Sequence, residues 1–226
     1  MYMSKISLNR RRRGAMKLLG SRHAMHAAVM SSFSPGTPTS TEAGRVLWRV
    51  DRHDEAVDLL VVSPAEPCLA HINDQAGWST GATWATRDYK SFLASITEDQ
   101  EYIFRLAANP THRISTPADG GVRKQIVGHV TDGHQRQWFL DRTVSNGFSV
   151  IENSSNSEDR THPELVVRDR ETVVFRRGSQ RVTLRSAVFE GQLRVDDTER
   201  LRKALTQGIG RAKGYGCGLL TLLPVS

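Results

Sequence analysis

Cysteine is nearly absent. Cys68 and Cys217 are the two in 226 residues, too few for a disulfide framework or a zinc cluster. A reducing cytoplasm is the expected setting. No apolar run approaches the ~20 residues a membrane helix needs, so no membrane partner is expected. The arginine run at residues 10–13 is followed only by a short apolar stretch at 15–19, which is not a secretory signal. The Asn153-Ser154-Ser155 sequon therefore reads as chance. Catalytic signatures are scarce too. No Gly-Lys-Ser/Thr marks a Walker loop, and no Gly-x-Ser-x-Gly marks a nucleophile elbow. No dense group of His, Cys, Asp and Glu has metal-ligand spacing. Neither a metal nor any other cofactor is expected.

What is present is positive charge. Lys and Arg total 31 against 24 Asp and Glu, a net charge of +7, and the basic side is almost all arginine. Its planar fork matches phosphate and stacks on bases. A nucleic acid is the leading partner; a compositional bias toward arginine is the alternative. The length suits one domain or two small ones.

Along the chain, residues 2–9 read as a strand, followed by a basic link. Ser21 caps a helix over 23–33, with Met25, Ala28, Val29 and Phe33 on one face. A polar loop fills 34–44. Residues 45–50 and 57–62 form a strand pair, 64–74 is irregular or weakly helical, and 83–89 is a short strand. That order is ferredoxin-like. It then restarts. A strand at 101–107 is expected to pair with 123–130. A helix runs from Asp132 or Gly133 to Ser145, a strand occupies 148–151, and 153–163 is a solvated loop. A long hairpin joins 165–175 to 181–195, its tip reading Arg176-Arg177-Gly178-Ser179-Gln180. Asp196, with Glu199, caps the closing helix, and a strand at 219–223 ends the pattern. The prediction is an α+β chain of two tandem ferredoxin-like (βαββαβ, RRM-like) domains, 1–95 and 96–226.

Two features carry chemistry. Gly208, Gly210, Gly214, Gly216 and Gly218 surround Arg211 and Lys213. Such a backbone either turns tightly or cradles a phosphate. The loop follows a helix and opens a strand, the reverse of a dinucleotide or Walker site. His23 and His26, three apart, are neighbours on the first helix, at the edge of its apolar stripe. They are either surface histidines or proton carriers near neutral pH. Cleavage of RNA needs such carriers: one group removes the 2′-hydroxyl proton and another protonates the leaving 5′-oxygen. The nucleophile lies in the substrate, so no metal is required. The other histidines, including His112, His129 and His134, read as surface residues.

The pieces FRLAANPTHRI (104–114), QWFL (137–140) before Asn146-Gly147-Phe148, VTLRSAVFEGQLRV (182–195) and above all GIGRAKGYGCGLLTLLP (208–224) make the chain resemble the CasE family of CRISPR RNA-processing endoribonucleases. The resemblance implies tandem ferredoxin-like domains of the RAMP type and binding of the CRISPR repeat RNA hairpin. It implies one metal-independent cut at the hairpin's 3′ base, leaving a 5′-hydroxyl and a 2′,3′-cyclic phosphate, and residence in the Cascade complex. His26 matches the family's general acid/base. His23 stands where the family often has tyrosine, and either substitutes as a proton carrier or only positions the 2′-hydroxyl. Arg176 and Arg177 match the basic hairpin tip. Gly178 and Ser179 replace family lysines there, so phosphate binding leans on Arg181 or Lys213, with Arg211 beside it. A non-catalytic RNA-binding subunit of a CRISPR ribonucleoprotein is the alternative reading.

Overall fold

The computed structural model describes residues 1–225 apart from 54–55, 80–83, 119–120, 155–160 and 178–179. The side chains of 116–118, 121–124, 153–154, 161–162, 176–177 and 180–181 also lie outside the described set. In chain order the first half is β1 (Tyr2–Leu8), α1 (Arg13–Leu19), α2 (Arg22–Met30), the small pair β2 (Ser40–Thr41) and β3 (Gly44–Arg45), β4 (Leu47–Arg52), β5 (Val57–Ser63), α3 (Ala70–Ala76), β6 (Trp84–Asp88) and α4 (Lys90–Ser95). The second half is β7 (Glu101–Ala108), β8 (Thr111–Ala118), β9 (Gly121–Gly128), α5 (Asp132–Thr143), β10 (Phe148–Val150), β11 (Glu152–Ser154), β12 (Thr161–Pro163), β13 (Leu165–Arg177), β14 (Gln180–Val195), α6 (Thr198–Gln207) and β15 (Leu220–Pro224).

Each half builds one antiparallel sheet, ordered β4-β5-β1-β6 and β10-β14-β7-β15. Both orders place the first and third strands of a βαββαβ unit at the centre, so the expected tandem ferredoxin-like arrangement is borne out. In β4 the strand period of two decides everything nearby. Trp48 faces the helices, where it packs with Met25 and Val29 of α2. Leu47 faces the other way, into the core of the second half. That core is aromatic: Phe104, Phe139, Phe148 and Phe189 lie with ring centroids between 5.1 and 6.4 Å apart.

Four local expectations are corrected. Residues 13–19 of the basic link are helical. Ala15 and Leu18 of this α1 are buried, and the preceding Arg12 donates to the carbonyls of Asn73, Asp74 and Gly77 at the end of α3, where a cation suits the helix dipole. Strand β9 pairs with β8, not with β7, because both edges of β7 are taken by β14 and β15. The stretch 153–163 is not all loop, since β11 pairs with β12. The N-cap of α6 is Asp197, which accepts from the Arg200 amide at 3.0 Å; Asp196 instead accepts from the Ser149 hydroxyl.

Beyond its contact with β7, which begins at Ala187, strand β14 pairs only with β13. Residues 171–177 and 180–186 are therefore a two-stranded ribbon standing off the sheet. Arg176 pairs with Arg181 in its register.

Candidate functional site

The site lies where α2, β4 and the glycine loop meet. Ser21 caps α2, its hydroxyl accepting from the Ala24 amide. Met25 and Val29 are buried and fix the helix on the sheet. One position past Met25, the helical rotation leaves His26 half-buried at the stripe's edge. The Trp48 indole N–H donates to its Nδ1 at 3.4 Å. An indole nitrogen can only donate, so the neutral His26 ring carries its hydrogen on Nε2. That nitrogen faces the glycine loop: a methyl group on Gly214 would lie 3.5 Å from both Nε2 and Cε1. Glycine at 214 keeps that volume clear of a side chain.

The loop resolves its own ambiguity residue by residue. Gly208, Gly210, Gly216 and Gly218 all have positive φ, a conformation that costs other residues free energy. At Gly216 a Cβ would also strike the Trp48 ring at 2.6 Å. These four serve the turn. Gly214 has no such φ and is the one set against the imidazole. Lys213 is half-buried, and burial, then the charge of Arg45, lowers its pKa. A cation held beside another cation gains most from a phosphate between them.

Arg22 joins this region to the ribbon. Its guanidinium donates to the Tyr215 carbonyl at 2.8 Å, the Glu171 carboxylate at 2.8 Å and the Ser186 hydroxyl at 2.9 Å. The ring of Phe175 meets that of Tyr215 edge-on, centroids 4.9 Å apart. The ribbon, the loop and α2 are thus tied at one point. A cleft of about 400 Å³ opens beside it, lined among others by Arg22, Met25, Trp48, Arg105, Arg170 and Gly216.

The structure therefore brings together His26, Gly214 and the root of the arginine-tipped ribbon, with Lys213 in the same loop. His23 stands exposed one turn before His26. Arg211 lines a second cavity with Gly210, one that His26 does not border. The side chains of Arg176, Arg177 and Arg181 lie outside the described residues. Sequence reasoning missed Trp48, Arg22 and Tyr215. The contacts of Arg22 and Trp48 span 193 and 22 residues of chain, and no local pattern announces them.

Tandem ferredoxin-like halves, with an imidazole and a basic glycine turn at their seam, define a class of protein built to face a polyanion. Comparison with known proteins narrows that class. The chain belongs to the family of CRISPR-associated proteins, whose model, described as "CRISPR associated protein", matches residues 1–224. It is 25% identical over 226 residues to the CRISPR-associated endoribonuclease Cse3 of Thermus thermophilus, covering 99% of this chain and 100% of that one. It is 32% identical over 127 residues to the CRISPR system Cascade subunit CasE of Escherichia coli, covering 54% and 57% of the two chains. A structure of the CRISPR endoribonuclease Cse3 bound to a 19-nucleotide RNA superposes with a TM-score of 0.79 at 25% identity, over 99% of this chain and 100% of that one. The resemblance to the CasE family is borne out.

Proposed function

We propose that this chain is an endoribonuclease that binds the hairpin of a CRISPR repeat, cuts it at the 3′ base, and stays on the product as a subunit of Cascade. The observation that carries the reading is the meeting of His26 with Gly214, on a helix that Arg22 ties to the root of the ribbon. The names of the similar proteins support it. The ribbon tip suits the stem, because an A-form major groove is deep and narrow and only a slender element reaches its edges and phosphates. Arg176, Arg177 and Arg181 are assigned that contact, and Lys213 a phosphate near the cut. The chain divides near residue 96, with the proton-carrying helix in the first domain and the RNA grip in the second. The cytoplasm is its setting.

In the reaction the 2′-oxygen attacks the adjacent phosphorus and the bond to the 5′-oxygen breaks. One proton leaves the 2′-hydroxyl and one arrives on the 5′-oxygen. The products are a 2′,3′-cyclic phosphate and a 5′-hydroxyl. His26 exchanges its proton with the RNA at Nε2, since Trp48 occupies Nδ1. His23, one turn away, assists at the other oxygen. No step calls for a metal.

Incubation with the repeat hairpin in EDTA tests this. Cleavage to a cyclic phosphate end is expected, and His26→Ala should bind normally while cutting roughly 10²–10⁴-fold more slowly. Undiminished cutting by that variant removes His26 from the mechanism. Binding without cutting by the wild type would make the chain a structural subunit.

A further inference from the structure

One cluster of titratable groups takes no part in the site above. His112 of β8, His129 just beyond β9 and His134 of α5 pack against each other. Ring centroids are 4.3 Å apart for the first pair and 5.7 Å for the second. Read singly from the sequence, each is a surface residue; the β8–β9 hairpin and α5 turn all three to one wall. They border a cavity of about 590 Å³.

The charged groups around them are mostly cations. Strand β8 adds Arg113, α5 adds Arg142, and the glycine loop adds Arg211. Behind the hairpin, Arg185 of β14 donates to the Gly128 carbonyl at 2.9 Å. Asp141 of α5 is the one carboxylate lining the cavity among the described residues, and it already accepts from the Gln137 amide at 2.7 Å. Asp132, at the start of α5, pairs with Arg136. Trp138 forms part of the wall; Arg142 lies over its ring at 4.2 Å, and its buried indole nitrogen has no hydrogen-bond partner among the described residues. Burial, then His112, His134 and Arg142, lower the pKa of His129. Imidazoles and guanidiniums this close repel one another's protons, and an anion among them reverses that sign.

The position of the cavity says which anion. Arg211 borders it, Gly214 faces His26, and Tyr215 touches the ribbon. From 211 to 214 is three residues, at most about 11 Å. An RNA whose stem lies on the ribbon and whose scissile phosphate lies at His26 reaches the cavity with the nucleotides next to the cut.

We propose that this cavity binds single-stranded nucleotides flanking the repeat hairpin, their bases stacked on His112 and His134 and a phosphate held by Arg113, Arg142 and Arg211. The proposal rests on the endoribonuclease reading. Stacking on imidazoles and arginine contacts to the backbone is how single strands are gripped without a base code. A phosphate in the cavity favours the protonated form of His129, which burial and its neighbours disfavour, so the grip on the flank strengthens as pH falls from about 7.5 to about 6.

The test uses the His26→Ala protein, so that RNA survives, and fluorescence anisotropy. The probes are the repeat hairpin trimmed to its stem-loop and the same hairpin with about four extra nucleotides on its 5′ or its 3′ side. One extension is expected to tighten binding about fivefold or more, the worth of one stacked base, and by more at the lower pH. Adding His112→Ala and His134→Ala, both exposed positions, should erase that gain and leave the trimmed hairpin bound as before. Equal affinity for trimmed and extended hairpins, or a gain that survives removal of the imidazoles, overturns the cavity's role and leaves the nuclease reading standing. A gain that requires added Zn²⁺ assigns the cluster to a metal and overturns it equally. Failure of the trimmed hairpin to bind at all overturns the RNA reading beneath both.

Discussion

Replacing Arg49 by alanine should unfasten the two halves of the molecule. Arg49 is on β4 and is 2% exposed. Its guanidinium forks onto the Asp51 carboxylate at 2.7 and 2.8 Å. Across the seam it donates to the Arg105 carbonyl at 2.7 Å, the Leu219 carbonyl at 3.0 Å and the Thr221 hydroxyl at 2.8 Å. The last three acceptors belong to β7, to β15 and to the residue just before β15. Alanine leaves two carbonyls and a carboxylate buried without their donor; Arg105, at 3.5 Å from Asp51, offsets only part of that. Removing one partner of a buried pair costs about 3–5 kcal/mol, a large share of the ~5–15 kcal/mol that holds a protein folded. With a urea slope of about 2–3 kcal/mol/M, the midpoint should fall by roughly 1–2 M. Tryptophan fluorescence and far-UV circular dichroism should also stop coinciding, because the halves no longer unfold together. The pH dependence sharpens the test. Burial raises the pKa of Asp51, but the hydrogen bond and charge of Arg49, with Arg105 and His53, outweigh it and leave the pKa below its ordinary value. A depressed folded pKa means stabilisation that is complete above the ordinary value near 3.9 and lost as pH falls through the folded one. Without Arg49 burial is less well offset, and Asp51 takes up a proton more readily. The penalty of the variant should therefore shrink on lowering the pH from about 7 to about 5, and Asp51→Asn in the same background should recover part of it. A destabilisation under about 1 kcal/mol, or a penalty indifferent to both pH and Asn at 51, would refute the reasoning.

Three further outcomes are expected. Trp48→Phe keeps the packing but frees Nδ1 of His26; cleavage should fall at least about tenfold, out of the 10²–10⁴ that proton transfer supplies, with RNA affinity unchanged and the ring's tautomer altered in ¹⁵N spectra. Gly214→Ala puts a methyl in ordinary contact with the imidazole, at 3.5 Å. It should leave the melting temperature within a few degrees and depress the cleavage rate, and an unchanged rate would mean that no substrate atom uses that space. Arg177→Ala should weaken hairpin binding and reduce the slope of log affinity against log salt by about 0.7–0.9 for each phosphate the arginine neutralises; an unaltered slope would take Arg177 off the RNA.

The sequence carried the architecture because both ferredoxin-like units write their order in plain periodicities. β1, β4, β5, β7 and β14 are strand-like by composition, and α2 and α6 each show one apolar stripe. It failed where neighbours, not patterns, decide. Residues 13–19 look like a charged link because only Ala15 and Leu18 are needed to bury α1; the rest of its support is Arg12 reaching across to α3. Alternation alone pairs β9 with β7, because nothing local says that the edges of β7 are already filled. Asp196 and Asp197 are chemically equal as caps, and Ser149, a residue 47 positions away, takes the first of them. At the candidate site, the position of His26 at the edge of an apolar stripe was legible. That Gly214, and not one of the other four glycines, would meet it could not be read from a run in which every glycine looks alike.

Strand β4 joins the two parts of the proposed site. Trp48 and Arg49 are consecutive, so the pleat sends them to opposite faces. One holds the imidazole of α2; the other is buried in the seam and bonded to β7 and the β15 segment. Strand β7 is in turn hydrogen-bonded to β14, which extends outward as the ribbon. From His26 to the ribbon the path is then two adjacent residues and two paired strands, with no flexible link among them. Arg22 closes the circuit from the other side, bonding α2 directly to Glu171 and Ser186 at the ribbon's root. On the function proposed above, an RNA seated on the ribbon is positioned against the imidazole by the same covalent and hydrogen-bonded frame that holds the halves together.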